Sequence, residues 1–242
     1  MGADFRDKVA LVTGVGRVGQ IGHAVARALG TAGARLVIAD VNAAAVAERV
    51  REFQGDGLEV RGVSGNLTRP EDAQSAVATA RREFGGLDVV VNVAGGLVSY
   101  GPFLKSDLGA LEQELAINVQ TTFNVCREAI PLLIDRGGGA IVNFSSIAVV
   151  KPATQMAAYT AAKAAVAGLT RALAREFRAQ GVRVNAVAPV AVRTKDNLAQ
   201  MPAAEQAKLI ELDDLVHAVL FLASDDAKAV SGEVLPVTGR SA

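Results

Sequence analysis

The stretch Lys8-Val9-Ala10-Leu11-Val12-Thr13-Gly14-Val15-Gly16-Arg17-Val18-Gly19-Gln20-Ile21-Gly22 decides the fold. Its first half is a short apolar run, the pattern of a strand buried on both faces. Its second half is a glycine-rich turn. From Gln20 to Thr31 the apolar residues Ile21, Val25, Ala28 and Leu29 recur at helical spacing, and Gly33 supplies a stop. Gly14, Gly16 and Gly19 satisfy G-x-G-x-x-G, in which glycines let the backbone turn tightly and approach a pyrophosphate seated on the helix N-terminus. In a chain with 24 glycines the spacing alone is weak. Its position between a strand and a helix gives it weight.

Outward from this unit the alternation repeats. Residues 35–39, 58–63, 87–92, 140–144, 182–187 and 233–237 read as strands. Residues 43–53, 70–84, 108–134, 157–180 and 215–223 read as helices, with Pro70 at a helix start and Gly137-Gly138-Gly139 and Gly181 at helix ends. Continuously apolar strands alternating with helices predict an α/β fold, a doubly wound, mostly parallel seven-stranded sheet flanked by helices. No linker or repeat divides the chain, so residues 1–242 read as a single domain, with a short lid around 190–212. Ligands of such sheets bind at the carboxyl ends of the strands.

Composition narrows the chemistry. The chain has 242 residues, 50% of them hydrophobic, and Lys+Arg 25 balances Asp+Glu 25. Zero net charge argues against a nucleic-acid partner. The absence of a long apolar run or a basic-then-apolar leader points to a cytoplasmic protein with no membrane partner. One cysteine, Cys126, allows no internal disulfide and reads as core. With only His23 and His217 beside it, a zinc site is not expected. Any acid–base chemistry must come from few groups.

One of only two tyrosines, Tyr159, lies four residues before Lys163 on a helix, so both share a face. Free tyrosine titrates near ~10, and an adjacent ammonium favours its phenolate. Upstream, the strand ending in Val142-Asn143-Phe144-Ser145-Ser146 delivers Ser146, whose hydroxyl could donate to a carbonyl oxygen. The strand before ends in Asn92-Val93-Ala94-Gly95, and Asn118 interrupts an apolar helix, where a buried amide is either structural or recruited. The second strand ends at Asp40, about 20 residues beyond the glycine loop, where a carboxylate can bond ribose hydroxyls and repel a 2′-phosphate. This favours NAD(H) over NADP(H), with Arg17 as the counter-signal.

These pieces, in this order and over nearly the whole chain, resemble the short-chain dehydrogenase/reductase family, a Rossmann-fold family. The tail around Leu220 and Ser231-Gly232-Glu233 resembles its bacterial 3-oxoacyl-carrier-protein reductase-like members. The resemblance implies an NAD(P)-dependent oxidoreductase interconverting a ketone and a secondary alcohol. Tyr159 would be the acid/base, Lys163 would lower its pKa and hold the nicotinamide ribose, Ser146 would polarise the carbonyl, and Asn118 would hold a relay water. It further implies cofactor contacts from Gly14, Gly16, Arg17, Gly19, Ile21, Asn66, Leu67, Asn92, Ala94, Gly95, Val192 and Thr194. It also implies a homotetramer, with a dimer next, acting on a small carbonyl or alcohol substrate.

Three departures stand out. The usual loop is Thr-Gly-x-x-x-Gly-x-Gly. Here Gly22 takes the last glycine's place, in a loop roughly two residues longer that resembles the enoyl reductase branch. That branch separates its Tyr and Lys further, however, and Ala157 lies where its Tyr would fall. Asn66 stands where Asp is usual, and Val190 follows Pro189 where Gly is usual. The lid between Thr194 and Asp214 is short. The alternatives are a non-catalytic nucleotide-binding sensor or scaffold and an enoyl-type double-bond reductase. His23 reads as structural or near phosphate, His217 as a partly buried helix residue, and Tyr100 as pocket wall or loop packing.

Overall fold

A computed structural model describes residues 3–239. The strands are β1 (Val9–Thr13), β2 (Arg35–Asp40), β3 (Val60–Ser64), β4 (Val89–Asn92), β5 (Gly139–Phe144), β6 (Val182–Pro189) and β7 (Val234–Val237). They form one parallel sheet in the order β3-β2-β1-β4-β5-β6-β7. The order reverses between β1 and β4, which leaves a crevice beyond their carboxyl ends.

The principal helices are α1 (Ile21–Thr31), α2 (Ala43–Gly55), α3 (Pro70–Phe84), α4 (Leu108–Leu115), α5 (Thr121–Asp135) and α6 (Ala157–Phe177). Three more follow: α7 (Lys195–Gln200), α8 (Ala203–Gln206) and α9 (Leu212–Ala223). Pro70 occupies the first turn of α3, where its missing N–H has no intrahelical partner to lose, and Gly85 ends that helix in the left-handed conformation.

The apolar runs of the strands feed two cores at once. Ala10, Val12, Leu36, Ile38 and Val142 turn to the layer of α1 and α9. Their neighbours Val9, Leu11, Val37 and Ile141 turn to the layer of α3 and α5. Successive side chains of a strand point to opposite faces, so a strand covered on both sides must be apolar throughout. Leu11, Leu36 and Ile141 are fully buried. Each such side chain stabilises the fold by about 1.5–3 kcal/mol relative to exposure.

Two expectations change in the folded chain. Residues 108–134 are not one regular helix, because Ala116–Gln120 forms a π-helical turn between α4 and α5. The hydroxyls of Thr121 and Thr122 donate back into this turn, to the carbonyls of Ile117 (2.6 Å) and Asn118 (2.9 Å). The segment 190–212 is also less open than its sequence suggests. It carries α7 and α8, and Val192 bridges Ile210.

Candidate functional site

The glycine loop after β1 packs against the turn after β4. Gly14 is left-handed (φ +72°) and its amide donates to Ala39 O at 2.8 Å, while Thr13 Oγ1 accepts from Ala94 N at 3.0 Å. The decisive close approach is at Gly22, where a Cβ would lie 2.1 Å from Gly14 O. No side chain fits there, so Gly22, not Gly19, is the glycine that lets α1 start tight against the strand. Gly19 instead turns beneath the lid, with its carbonyl accepting from Lys195 N at 3.1 Å.

A cleft of about 470 Å³ opens over this unit, lined by Gly14, Arg17, Gln20, Ile21, Asp40 and the segments 65–68 and 93–95, among others. Of the expected cofactor residues it gathers Gly14, Arg17, Ile21, Asp40, Asn66, Leu67, Ala94 and Gly95. Gly16 and Gly19 shape the loop from outside that lining. The Asn92 side chain turns away from the cleft. Its amide donates to Asn143 Oδ1 at 2.9 Å within the core, beside Cys126. Asn92 interrupts an apolar strand as Asn118 interrupts an apolar helix, and both amides are spent on bonds inside the protein.

Asp40 accepts from Gly16 N (2.8 Å) and Asn42 N (3.0 Å), which aims its carboxylate along the cleft edge. Arg17 is drawn outward into an ion pair with Asp196 of α7. Asn66 holds its own turn, accepting from Thr68 N and Oγ1 (3.2 and 2.9 Å). Gln20, at the N-cap of α1, carries a buried amide nitrogen with no protein partner. A donor left unpaired at the mouth of a helix N-terminus suits the oxygens of a pyrophosphate. With the Gly14–Gly22 cradle and Asp40, the residues present fit a dinucleotide. Val192 and Thr194 are buried in the lid, where Thr194 caps α7 by accepting from Asn197 N at 3.3 Å.

The second group sits beyond β5. Lys163 Nζ donates to Phe144 O at 2.9 Å, and Ser145 Oγ donates to Lys163 O at 3.0 Å. These two bonds clamp α6 onto the strand end and bring Ser146, Tyr159 and Lys163 together. Ser146 lies close enough to the Tyr159 hydroxyl to ease its ionisation, and Lys163 Nζ lies 5.7 Å from the Tyr159 ring centre. Asn118 completes the group from the π turn. Its Oδ1 accepts from Gly96 N (3.0 Å), and its Nδ2 donates to Gly96 O (2.9 Å) and Glu114 Oε2 (2.9 Å). A Cβ on Gly95 would meet Asn118 Oδ1 at 2.6 Å, which keeps the turn after β4 free of a side chain there.

The electrostatics differ from the sequence expectation. Burial raises the Tyr159 phenol above its ordinary value, its bond with Ser146 opposes that, and Glu114 adds to it. Burial also lowers Lys163 to about 8, against the opposing influence of Glu114. Lys163 therefore does not bring Tyr159 below its ordinary range in this state. Both groups share one desolvated pocket, and burial disfavours each charged form.

The remaining residues are structural or exposed. Cys126 is buried, and burial pushes its thiol up to about 12. His23 pairs with Glu52 at 2.9 Å and packs on Phe53. His217 and Tyr100 are exposed. Glu114 was missed by sequence reasoning, since a glutamate on a helix reads as a solvated face. Its spacing of four from Asn118 was the available signal.

Comparison with known proteins agrees with this fold. The family model described as enoyl-(acyl carrier protein) reductase matches residues 14–239. The chain is 34% identical to D-threitol dehydrogenase of Mycolicibacterium smegmatis, over 98% of this chain and 94% of that one. It is 33% identical to cyclohexanol dehydrogenase of an Acinetobacter species, over 99% and 96%. Among solved structures, a 7α-hydroxysteroid dehydrogenase complexed with NADH and 7-oxo glycochenodeoxycholic acid superposes with a TM-score of 0.91. The two are 30% identical, over 98% of this chain and 95% of that one. The chain belongs to the short-chain dehydrogenase/reductase family. It is an NAD(P)-dependent oxidoreductase acting on CH–OH groups.

Proposed function

We propose that this enzyme interconverts a secondary alcohol and a ketone, with Tyr159 as acid/base and NAD(H) preferred over NADP(H). The observation that carries the reading is the Ser146–Tyr159–Lys163 group clamped at the end of β5, on the same carboxyl edge of the sheet as the glycine-loop cleft. A bound nicotinamide supplies the hydride. Ser146 orients and polarises the carbonyl oxygen as charge develops on it. The Tyr159 hydroxyl gives its proton to that oxygen in reduction and takes it back in oxidation. Lys163 stabilises the phenolate and holds the nicotinamide ribose, with Asn118 behind it in the proton path. Val192 and Thr194 serve the nicotinamide end. Asn66 and Leu67 flank the adenine.

NAD(H) preference is supported by Asp40, whose carboxylate opposes a 2′-phosphate. Arg17 is engaged by Asp196, so the counter-signal from the sequence is already occupied. The relatives' printed activities on threitol and cyclohexanol support an alcohol substrate. The exposed, alanine-rich face of α6 supports pairing of subunits in a homotetramer. We place the enzyme in the cytoplasm. Among the described residues no helix is long and apolar enough to cross a membrane.

NADH oxidation with a panel of ketones tests the reading, with Tyr159→Phe as control. The variant should lose ~10²–10⁴-fold in kcat, the typical worth of a positioned acid, while still binding NADH. Full turnover by that variant would end the mechanism. NADH binding without turnover would favour a sensor, and turnover on enoyl thioesters alone would favour double-bond reduction.

A further inference from the structure

Glu114 ends α4 one turn before Asn118 and has no exposed surface. Its Oε1 accepts from the amides of Val98 and Ser99, both at 2.8 Å, and its Oε2 accepts from Asn118 Nδ2 at 2.9 Å. Both oxygens act only as acceptors in these bonds, the role of a carboxylate. The segment it holds leads away from the turn after β4. There the backbone faces inward onto Glu114, while Leu97, Val98 and Tyr100 are exposed. A buried acid with so many donors is costly to install, and a neutral amide could bond the same loop less strongly.

We propose that Glu114 is a positioning residue that ties the loop 96–99 to Asn118 and places a fixed charge where α4 packs against the helix of Tyr159 and Lys163. The proposal rests on Tyr159 and Lys163 being the reacting pair. On α4 and the π turn, both packed against α6, the buried polar side chains are Glu114 and the neutral Asn118. From the end of β5 they are the neutral Ser145 and Ser146. Glu114 is the carboxylate that acts on both members, favouring the ammonium of Lys163 and opposing the phenolate of Tyr159. Loop geometry and proton affinity are thereby set by one side chain.

The sign of its removal follows. Without the negative charge, Tyr159 gives up its proton more easily and so does Lys163, so both titrations move to lower pH. A residue that only anchored the loop would raise KM and leave the titration in place.

The chain offers a direct optical readout, because it has no tryptophan and only two tyrosines. In a Tyr100→Phe background, phenolate absorbance reports Tyr159 alone. Glu114→Gln in that background should lower the Tyr159 titration midpoint by about one pH unit or more, the usual effect of a neighbouring charge. It should also lower the midpoint of the pH profile of kcat and raise KM for the ketone. Glu114→Asp retains the charge on a shorter arm. It should keep the wild-type midpoint while raising KM several-fold. An unchanged midpoint in the Gln variant, or a wild-type KM in the Asp variant, overturns the proposal. If Glu114→Gln fails to fold, Glu114→Ser, which leaves room for water in place of the carboxylate, takes its place in the titration, and an unchanged Tyr159 midpoint again overturns the proposal. Failure of the underlying reading looks different: Tyr159→Phe would then keep its activity whatever Glu114 does.

Discussion

Two cavities of nearly equal size open at opposite ends of the same strands, and their difference explains where chemistry resides. The upper one, about 470 Å³, receives the glycine loop and the N-terminus of α1. The lower one, about 450 Å³, is lined by residues following the C-termini of α5, α6 and α9, among them Arg136 and Arg178, and by Arg183 at the start of β6. In a parallel α/β sheet all helices start at one edge and finish at the other. One edge therefore offers amide donors and partial positive charge, the other carbonyl acceptors and partial negative charge. The lower edge is already filled by the protein's own cations. Arg183 donates to the carbonyls of Leu222 and Ser224, both at 2.8 Å. Arg136 pairs with Asp88, which itself accepts from Val9 N at 2.8 Å. The upper edge keeps an unpartnered donor at Gln20. The lower cavity is thus bordered by cations the protein already engages, and the upper one presents a donor suited to an anion.

The sharpest break of this comparison is Gly22→Ala. The added Cβ has nowhere to go, since the Gly14 carbonyl is backbone. Overpacking of this kind costs about 1–3 kcal/mol, occasionally more. NADH affinity should fall by ten- to a hundredfold in a fluorescence titration, with the melting temperature lowered as well. Retention of wild-type NADH affinity would show that Gly22 is not the cradle.

Arg183→Met acts on the opposite edge. It leaves the last carbonyls of α9 without their donor, which costs about 1–3 kcal/mol. Thermal unfolding should drop by about 2–4 °C per kcal/mol lost, in a chain of this size. kcat and KM should stay as they are. A change in cofactor affinity would mean that the two edges are coupled.

Asp40→Asn is the mildest change. It keeps an acceptor for the Gly16 amide and removes the charge. The preference for NADH over NADPH should shrink by about tenfold, equivalent to ~1.4 kcal/mol. Parallel titration of the two nucleotides measures it, and an unchanged ratio would remove Asp40 from nucleotide selection.

The sheet, its parallel sense and most helix positions were legible in the sequence because they rest on local periodicity. Pro70 and Gly85 bound α3, as punctuation residues should. The π turn was not legible, because its apolar and polar positions read the same as those of a regular helix. Spacing and place at a strand end single out Tyr159, Lys163 and Ser146 as candidates in the sequence. Gln20, Glu114 and the inward turn of Asn92 were not found. The donor status of Gln20 depends on what fails to reach it. Glu114 is buried only because α4 packs on α6 and the loop folds back over it.

By itself, then, the sequence determined the α/β alternation, the sheet's apolar strands and the residue types available for acid–base work, since each follows from neighbours along the chain. Only the tertiary structure decided that Gly22 abuts the Gly14 carbonyl and that Asn92 and Asn118 both turn their amides into the protein. It also decided that Arg17 pairs with Asp196 of the lid, and that burial shifts Tyr159 up and Lys163 down. Those outcomes depend on distances between segments far apart in sequence and on the water excluded between them, and neither is written in the order of residues.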